Sequence, residues 1–260
     1  MMAGSSPSEE MFMNPYASLC DDFGVYVYVN TKMELATTRE MVLHFFDSLQ
    51  KTFPQMTDFE HRENGEYVLE EDREQGSYRW VSLEAKRFCS GYVNPPAVED
   101  ADAHHERVLE VAPYHLDFSP LDCEALDVLF AFDFMYSGNH DEVVAEALGM
   151  HSTLEGLIQM PGSRVLNYEP TLMLALDDGC RLQCRLNVET RTNAYQIRTG
   201  QFPEAPISVY FTVRQYWARQ GSRTYADSYK NQRKICQELV DNHITSAVLK
   251  PLAQTIANKQ

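Results

Sequence analysis

Arginine, tyrosine and tryptophan side chains are concentrated in region 181–219 of the sequence. Polar residues alternate with apolar ones around Arg185, so Gln183, Arg185, Asn187 and Glu189 are predicted to share the outward face of one strand. Arginine beside aromatic residues is typical of recognition surfaces. The candidate binding residues are Arg185, Arg191, Tyr195, Arg198, Arg214, Tyr216 and Trp217. A solvated sheet face, neutralised by acidic residues elsewhere, would have the same composition.

Arg214 lies in a segment whose alternating residues Val209, Phe211 and Val213 are predicted to face the core. Arg214 should therefore point outward, and its replacement by Glu should change stability by no more than about 0.5 kcal/mol. If the protein binds a small anion instead, Arg191, Arg198 or Arg214 would hold a carboxylate or phosphate through paired hydrogen bonds.

His104-His105-Glu106, with Asp100 and Asp102 nearby, supplies the side-chain types that bind divalent metals. Adjacent histidines in a strand or loop point in opposite directions, so they cannot both face one ion. We therefore interpret this segment as an exposed polar linker and predict no bound metal.

The sequence contains no Gly-x-Ser-x-Gly, His-Glu-x-x-His, phosphate-binding loop or dinucleotide-binding glycine pattern. His44, His151 and His243 lie on or beside apolar helical stripes, which favours interfacial or hydrogen-bonded core histidines over catalytic bases. No catalytic residue and no cofactor is indicated, so a non-enzymatic protein is favoured over an enzyme.

Charge is distributed unevenly along the 260 residues, whose net charge is −16. Residues 1–178 carry 10 Lys/Arg and 33 Asp/Glu, whereas residues 179–260 carry 12 and 5. The resulting net charges of −23 and +7 argue against nucleic-acid binding by the protein as a whole. They favour attraction between the two parts, within one chain or between subunits of a homo-oligomer.

The six cysteines lack the spacing of a disulfide framework or a zinc site, so we expect reduced, mostly buried thiols in the cytoplasm. No run of about eighteen apolar residues is present, which predicts no transmembrane helix and no membrane partner.

A pattern of helix and turn signals occurs twice along the chain. Thr37-x-x-Glu40 and Asn139-x-x-Glu142 are typical of capping boxes that follow a strand. Asn64-Gly65 and Asp178-Gly179 predict two-residue hairpins with type I′ turns. This order predicts an α+β fold of duplicated β-α-β-β-β units, with antiparallel sheets packed on helices as in helix-grip and TATA-box-binding-protein-like folds.

The predicted divisions are a disordered N-terminal arm (1–22), a first unit (23–93), an acidic, proline-containing connector (94–121) and a second unit (122–260). Strands are predicted in the first unit over 57–63, 66–72 and about 78–92, with a possible edge strand near 107–111 in the connector. In the second unit, strands are predicted over 164–177 and 180–193, with Leu172, Leu174 and Leu176 facing the core.

Two predictions concern the helices of the second unit. The helix that begins at Asn139 is expected to break near Gly149 and to restart at the capping box Ser152-x-x-Glu155. A long C-terminal helix is predicted over about 224–249, kinked or ended by Pro251.

Two segments, Arg185–Trp217 (RLNVETRTNAYQIRTGQFPEAPISVYFTVRQYW) and Cys236–Ile256 (CQELVDNHITSAVLKPLAQTI), carry a resemblance. They resemble a sporadically distributed bacterial family of uncharacterised proteins of about this length, mainly over 185–256. The resemblance rests on hydrophobic spacing. It implies a bacterial, cytosolic α+β protein and supplies no active site.

Two functional hypotheses follow from these observations. The preferred one is a binding or assembly protein whose basic, aromatic sheet surface in the second unit engages an acidic partner or a neighbouring subunit. The alternative is an enzyme or a binding protein for an anionic or apolar small molecule, with its cavity between the sheet and the C-terminal helix.

Overall fold

The computed structural model describes residues 14–35, 37–150, 154, 156, 157, 159–217 and 224–260. Nine strands are present in these residues: β1 Asp22–Thr31, β2 Asp58–His61, β3 Tyr67–Glu70, β4 Tyr78–Glu84, β5 Arg87–Val93, β6 Cys123–Tyr136, β7 Thr171–Ala175, β8 Leu182–Glu189 and β9 Ala205–Tyr216. The main helices are α1 Arg39–Gln50, α2 Val98–His115, α3 His140–Leu148, α4 Ala194–Thr199, α5 Tyr225–Leu239 and α6 Lys250–Ala257.

The nine strands form one sheet in the order β2-β3-β4-β5-β1-β6-β9-β8-β7. Every neighbouring pair is antiparallel. The first strand of each half, β1 and β6, pair at the centre, and β5 and β9 flank them. The α+β class, the antiparallel sheet and the long C-terminal helical segment are therefore confirmed.

One face of the sheet is covered by helices. Alternate residues of β1, among them Phe23, Val25 and Val27, are buried in the core with Phe130 and Phe132 of β6. Helix α2 packs on β1 and β5, and α5 packs on β6 and β9. None of the helices in the described part of the chain is long and apolar enough to cross a membrane.

The predicted connector contains the eighteen-residue helix α2, so the edge strand predicted near 107–111 is wrong. Ala101, Val108 and Ala112 are buried on one side of this helix, and the acidic residues of the sequence lie mainly on the other side. The helical period is hidden in the sequence because two histidines, His104 and His105, occupy core positions.

The strand predicted over about 78–92 is a hairpin of β4 and β5. Glu84 pairs with Arg87, so Ala85 and Lys86 make the turn, and neither residue has a positive φ. This turn lacks the glycine, proline or asparagine that normally marks one.

The predicted hairpins at Asn64-Gly65 and Asp178-Gly179 exist, but their turns are not type I′. A type I′ turn needs positive φ at both central residues. In the first turn only Gly65 has a positive φ. In the second turn the residue with a positive φ is Cys180. Similarly, the cap of α1 is Thr38 instead of Thr37, whereas the cap of α3 at Asn139 is confirmed.

The C-terminal helical segment continues beyond Pro251, which lies at the start of α6. A π-helical stretch, Val240–Leu249, joins α5 to α6. Its wider turns change the helix phase, so that Val240, Leu249 and Leu252 all lie in the core.

Two further predictions differ from the structure, and a third is tested only in part. Residues 14–22 of the predicted disordered arm are ordered, and buried Tyr16 donates to Asp241 Oδ1 at 2.7 Å. Leu172 and Leu174 are 53% and 49% exposed because β7 is an edge strand. Helix α3 ends at Gly149 as expected, but Ser152 and Glu155 lie outside the described residues. The division into units stays a prediction.

Candidate binding site on the helix-free face of the sheet

The second face of the sheet carries polar and aromatic side chains at its centre. Tyr26, Tyr28 and Asn30 alternate with the buried valines of β1 and therefore point away from the helices. The strand register places Tyr28 beside Asp127 of β6 and Asp127 beside Arg214 of β9. Both halves of the chain thus contribute to one surface.

Asp127 and Arg214 form a two-point ion pair on this face. Arg214 donates from Nε to Oδ1 at 2.7 Å and from Nη2 to Oδ2 at 2.6 Å, and Asn30 Nδ2 donates to Oδ2 at 3.1 Å. The Asp127 side chain is 7% exposed and that of Arg214 is 40% exposed. The hydrogen bonds that Arg214 donates to Asp127 raise the pKa of Arg214, which stays charged.

Arg214 points outward from its strand as predicted, but its ion pair with Asp127 argues against the expectation that Arg214→Glu changes stability by no more than about 0.5 kcal/mol. Removing the guanidinium leaves a buried carboxylate without its counter-charge, and Glu would add a second negative charge beside it.

A cavity of about 280 Å³ lies over this ion pair, between β1, β6, β9 and β8. Its charged lining consists of Arg87, Arg185, Arg214 and Asp127. Arg87 donates from Nε to Glu84 at 2.7 Å and lies over the ring of Tyr28, 5.5 Å from its centroid.

Arg185 has no ion pair or hydrogen bond to its side chain among the described residues. Asp127 already accepts on both of its oxygens. With Arg87 paired to Glu84 and Arg214 to Asp127, Arg185 gives the cavity an excess of positive charge, and Leu129 and Met173 add apolar surface. Such a site suits an anionic group attached to a less polar body.

A second cavity, of about 300 Å³, lies on the same face over β3, β4 and β5. It shares Tyr28 and Arg87 with the first, so the two are contiguous. Its charged residues are arranged in arginine–glutamate pairs, formed by Arg62 with Glu66, Arg73 with Glu70, and Arg87 with Glu84.

Two titratable groups of the second cavity, Cys89 and Tyr28, do not suit proton transfer near neutral pH. Burial raises the pKa of the Cys89 thiol to about 12, and burial likewise raises the pKa of Tyr28. A thiol that stays protonated is a poor nucleophile. No histidine lines either cavity in the part of the chain that the structure describes.

The structure separates the predicted binding residues into three places. Arg185, Arg214 and Tyr216 line the first cavity. Arg191, Tyr195 and Arg198 lie in the connection from β8 to β9, where Arg198 lies over the Tyr195 ring at 5.4 Å. Trp217 lies on the helix side, 4.6 Å from the Tyr225 ring.

The predicted exposed linker around His104 and His105 is wrong, because both imidazoles are buried. The Nδ1 atom of His105 forms a hydrogen bond with the Ser90 hydroxyl at 2.8 Å, and its Nε2 atom lies 3.2 Å from the carbonyl oxygen of Val25. Among the described residues, no group of three or more potential ligands could hold a metal ion. His44 and His243 are exposed, and His151 lies outside the described residues.

The alternative hypothesis requires a cavity between the sheet and the C-terminal helix. At Tyr229, Gln232 and Cys236 this interface is filled, with no exposed surface on these residues. Gln232 Nε2 also donates to the carbonyls of Leu126 and Val213 at 2.8 and 2.9 Å. This packing leaves no cavity at these three residues.

Farther along the same helical segment, an open cavity of about 350 Å³ lies between the β7–β8 hairpin, at Leu176 and Leu182, and the helical residues Ile235, Leu239 and His243. The alternative hypothesis therefore stays a prediction.

Sequence reasoning missed Tyr28, Arg87 and Asp127 as binding candidates. The alternation in GVYVYVN indicates that Tyr26 and Tyr28 share a face. It does not identify the strands that lie beside them.

Comparison with known proteins gives little further information. No protein-family model matches the chain, and no curated protein matches it. Two crystal structures of alkyldihydroxyacetonephosphate synthase align with 93% and 92% of this chain, each at 10% identity, with TM-scores of 0.19 and 0.12. The chain spans 44% and 42% of their lengths. At TM-scores this low, the likeness carries no argument about fold or function.

Proposed function

We propose that this is a non-enzymatic binding protein that uses the face of its sheet opposite α2 and α5 to hold an anionic group of a partner. The observation that carries the proposal is the first cavity, where Arg185 adds a positive charge to two ion pairs, Arg214–Asp127 and Arg87–Glu84, in a chain of net charge −16. An excess of positive charge at one place on an acidic protein favours encounter with a negative group.

Arg185 is the residue that supports the proposal most directly. It lies on β8, its guanidinium has no ion-pair partner among the described residues, and it shares the lining with Gln183 and Arg214. Asp127 holds Arg214 in place, and the Tyr28 ring supports Arg87. Two of the three arginines are therefore positioned before a partner arrives, which reduces the cost of ordering them.

The anionic group has two possible sources: an acidic protein surface, including residues 1–178 of a second copy, or a small organic anion. Sedimentation velocity at low and high salt tests the first source, and thermal melting with citrate or inorganic phosphate tests the second. We expect one of the two to respond, through salt-sensitive self-association or an anion-dependent rise in melting temperature.

Arg185→Gln should weaken that response by about tenfold, as expected for the loss of one charge-assisted hydrogen bond. Arg198→Gln is the matched control, since it removes the same charge from an exposed arginine outside the cavity. A strict monomer at both salt concentrations would exclude self-association. If neither anion changed the melting temperature either, the proposal would fail.

We also infer that the chain consists of two related β-α-β-β-β units. The central pair β1 and β6, flanked by β5 and β9, supports this inference, as does the helix that follows the last strand of each half. The first half contains one strand more than the predicted unit. A bacterial origin and a cytoplasmic location stay predictions.

A further inference from the structure

The second cavity carries a separate inference, because its chemistry differs from that of the first. We propose that it is a binding site for a neutral carbohydrate, which stacks on Trp80 and hydrogen-bonds to the arginine–glutamate pairs around it. This goes beyond the proposed function, which concerns an anionic group held at Arg185.

Trp80 forms the flat part of the site. It lies opposite Gly91 in the β4–β5 pair, and a Cβ at Gly91 would overlap its indole ring. The indole ring therefore lies directly against the backbone at Gly91, and a larger residue at that position would displace it. Tyr26 packs beside it, with its ring 5.5 Å from that of Trp80 and tilted by 56°. The C–H face of a pyranose ring packs well on a flat aromatic ring, because both surfaces are apolar.

The charges around Trp80 sum to zero. Arg62 Nη1 lies 3.0 Å from Glu66, Arg73 Nη2 lies 2.7 Å from Glu70, and Arg87 Nε lies 2.7 Å from Glu84. Each pair places donors next to acceptors. A sugar hydroxyl both donates and accepts, so adjacent hydroxyl groups can satisfy both members of a pair.

A neutral lining argues against other ligand classes. A phosphate or carboxylate would find each arginine already matched by a glutamate, and nucleic acid requires an excess of positive charge. A purely apolar ligand would displace water from these charged pairs without replacing the hydrogen bonds that the water makes.

The polar groups are held in place without a ligand. Glu70 accepts from Arg73 on both oxygens, at 2.9 and 2.7 Å, and its side chain is largely buried. Little side-chain freedom is therefore lost on binding. The volume of about 300 Å³ is at the lower end of small-molecule sites and suits one or two sugar rings.

The experiment uses tryptophan fluorescence, since the chain has only two tryptophans and Trp217 lies on the helix side. In Trp217→Phe, Trp80 is the single reporter. We expect a saturable change in emission with at least one of maltose, cellobiose, lactose and N,N′-diacetylchitobiose at millimolar concentration. Trp80→Phe, which keeps Trp217, should show no such change.

Arg73→Gln is a second variant, and it should weaken sugar binding by about tenfold through loss of a charge-assisted hydrogen bond. Arg185→Gln should leave sugar binding unchanged, because Arg185 lines only the first cavity. The absence of anion binding at the first cavity would therefore leave the carbohydrate proposal intact. The absence of sugar binding at the second cavity would likewise leave the anion proposal intact. A folded Trp217→Phe protein that responds to none of the four sugars, or sugar binding that Arg73→Gln does not weaken, would overturn the proposal.

Discussion

Asp102 of α2 and Arg233 of α5 form a two-point ion pair that joins the helices of the two halves. Arg233 donates from Nε to Oδ1 at 3.0 Å and from Nη2 to Oδ2 at 2.7 Å. The Tyr229 hydroxyl donates to the same Oδ1 at 2.6 Å. Asp102 belongs to the acidic part of the sequence and Arg233 to the basic part, so attraction between the two parts operates within one chain at this point.

Arg233→Gln should lower the free energy of unfolding by about 2–3 kcal/mol, because Asp102 is left mostly buried without its counter-charge. The side chains of Arg233 and Asp102 are only 15% and 22% exposed. Urea denaturation measures this change. Lys230→Gln is the control, because Lys230 joins the same two helices through an ion pair with Glu106 that is far more exposed. This control should leave the free energy of unfolding unchanged. Equal effects of the two variants would contradict the prediction.

Arg214→Gln should destabilise the protein by about 1–2 kcal/mol, after allowance for solvent screening of the exposed part of the guanidinium. Arg214→Glu should cost more, because it places a carboxylate next to Asp127. Adding Asp127→Asn to Arg214→Gln should recover part of the loss, since the buried charge is then removed. Thermal melting of the three variants measures these changes in stability. If the double variant recovered none of the loss, the broken ion pair between Arg214 and Asp127 would not be the cause of the destabilisation.

The strands with regular alternation of apolar and polar residues could be predicted from the sequence. The binding surface that these strands form together could not. Val25 and Val209 follow a local two-residue period that indicates a half-buried strand without knowledge of its neighbours. Arg214 and Asp127 are 87 residues apart, and their contact depends on the pairing of β6 with β9. Tyr28 and Arg87 enter the same cavity only because β1 lies next to both β5 and β6.

Helix α2 shows a different limit of sequence reasoning. His104 and His105 fill core positions through hydrogen bonds to Trp80, Val25 and Ser90. Those partners lie on distant strands, so the sequence offers no sign that two adjacent imidazoles are buried. Polar residues that replace apolar ones at core positions conceal the helical period.

The buried imidazole of His105 should make stability depend on pH. Burial lowers the pKa of His105 to about 3, well below the value of about 6.5 expected in the unfolded chain. The unfolded state therefore binds a proton between these two values that the folded state does not bind. This histidine should contribute full stability above about pH 6.5, and about 2 kcal/mol should be lost between about pH 6.5 and pH 5.

Urea denaturation at several pH values gives the free energy of unfolding as a function of pH. His105→Gln should reduce the slope of this function by the contribution of one proton. Part of the slope should persist in that variant, because burial also lowers the pKa of His104. His243→Gln, which changes an exposed histidine, should keep the full slope. An unchanged slope in His105→Gln would mean that this imidazole does not control acid sensitivity.

Gly91→Ala should destabilise the protein by about 1–3 kcal/mol, because a Cβ at this position overlaps the indole of Trp80 and forces the ring to move. Gly179→Ala is the matched control. A Cβ there has Arg181 Cγ at 3.8 Å as its only near contact, so stability should stay within about 0.5 kcal/mol of the parent value.

The decisive comparison for Gly91→Ala is made in a Trp80→Ala background, where the obstructing ring is absent. If the ring is the cause, Gly91→Ala should cost much less there, and the two substitutions should be strongly non-additive in a double-mutant cycle. Melting temperatures of the four proteins supply the cycle. Additive effects would mean that Gly91 is needed for its backbone alone, and that the flat position of Trp80 has another origin.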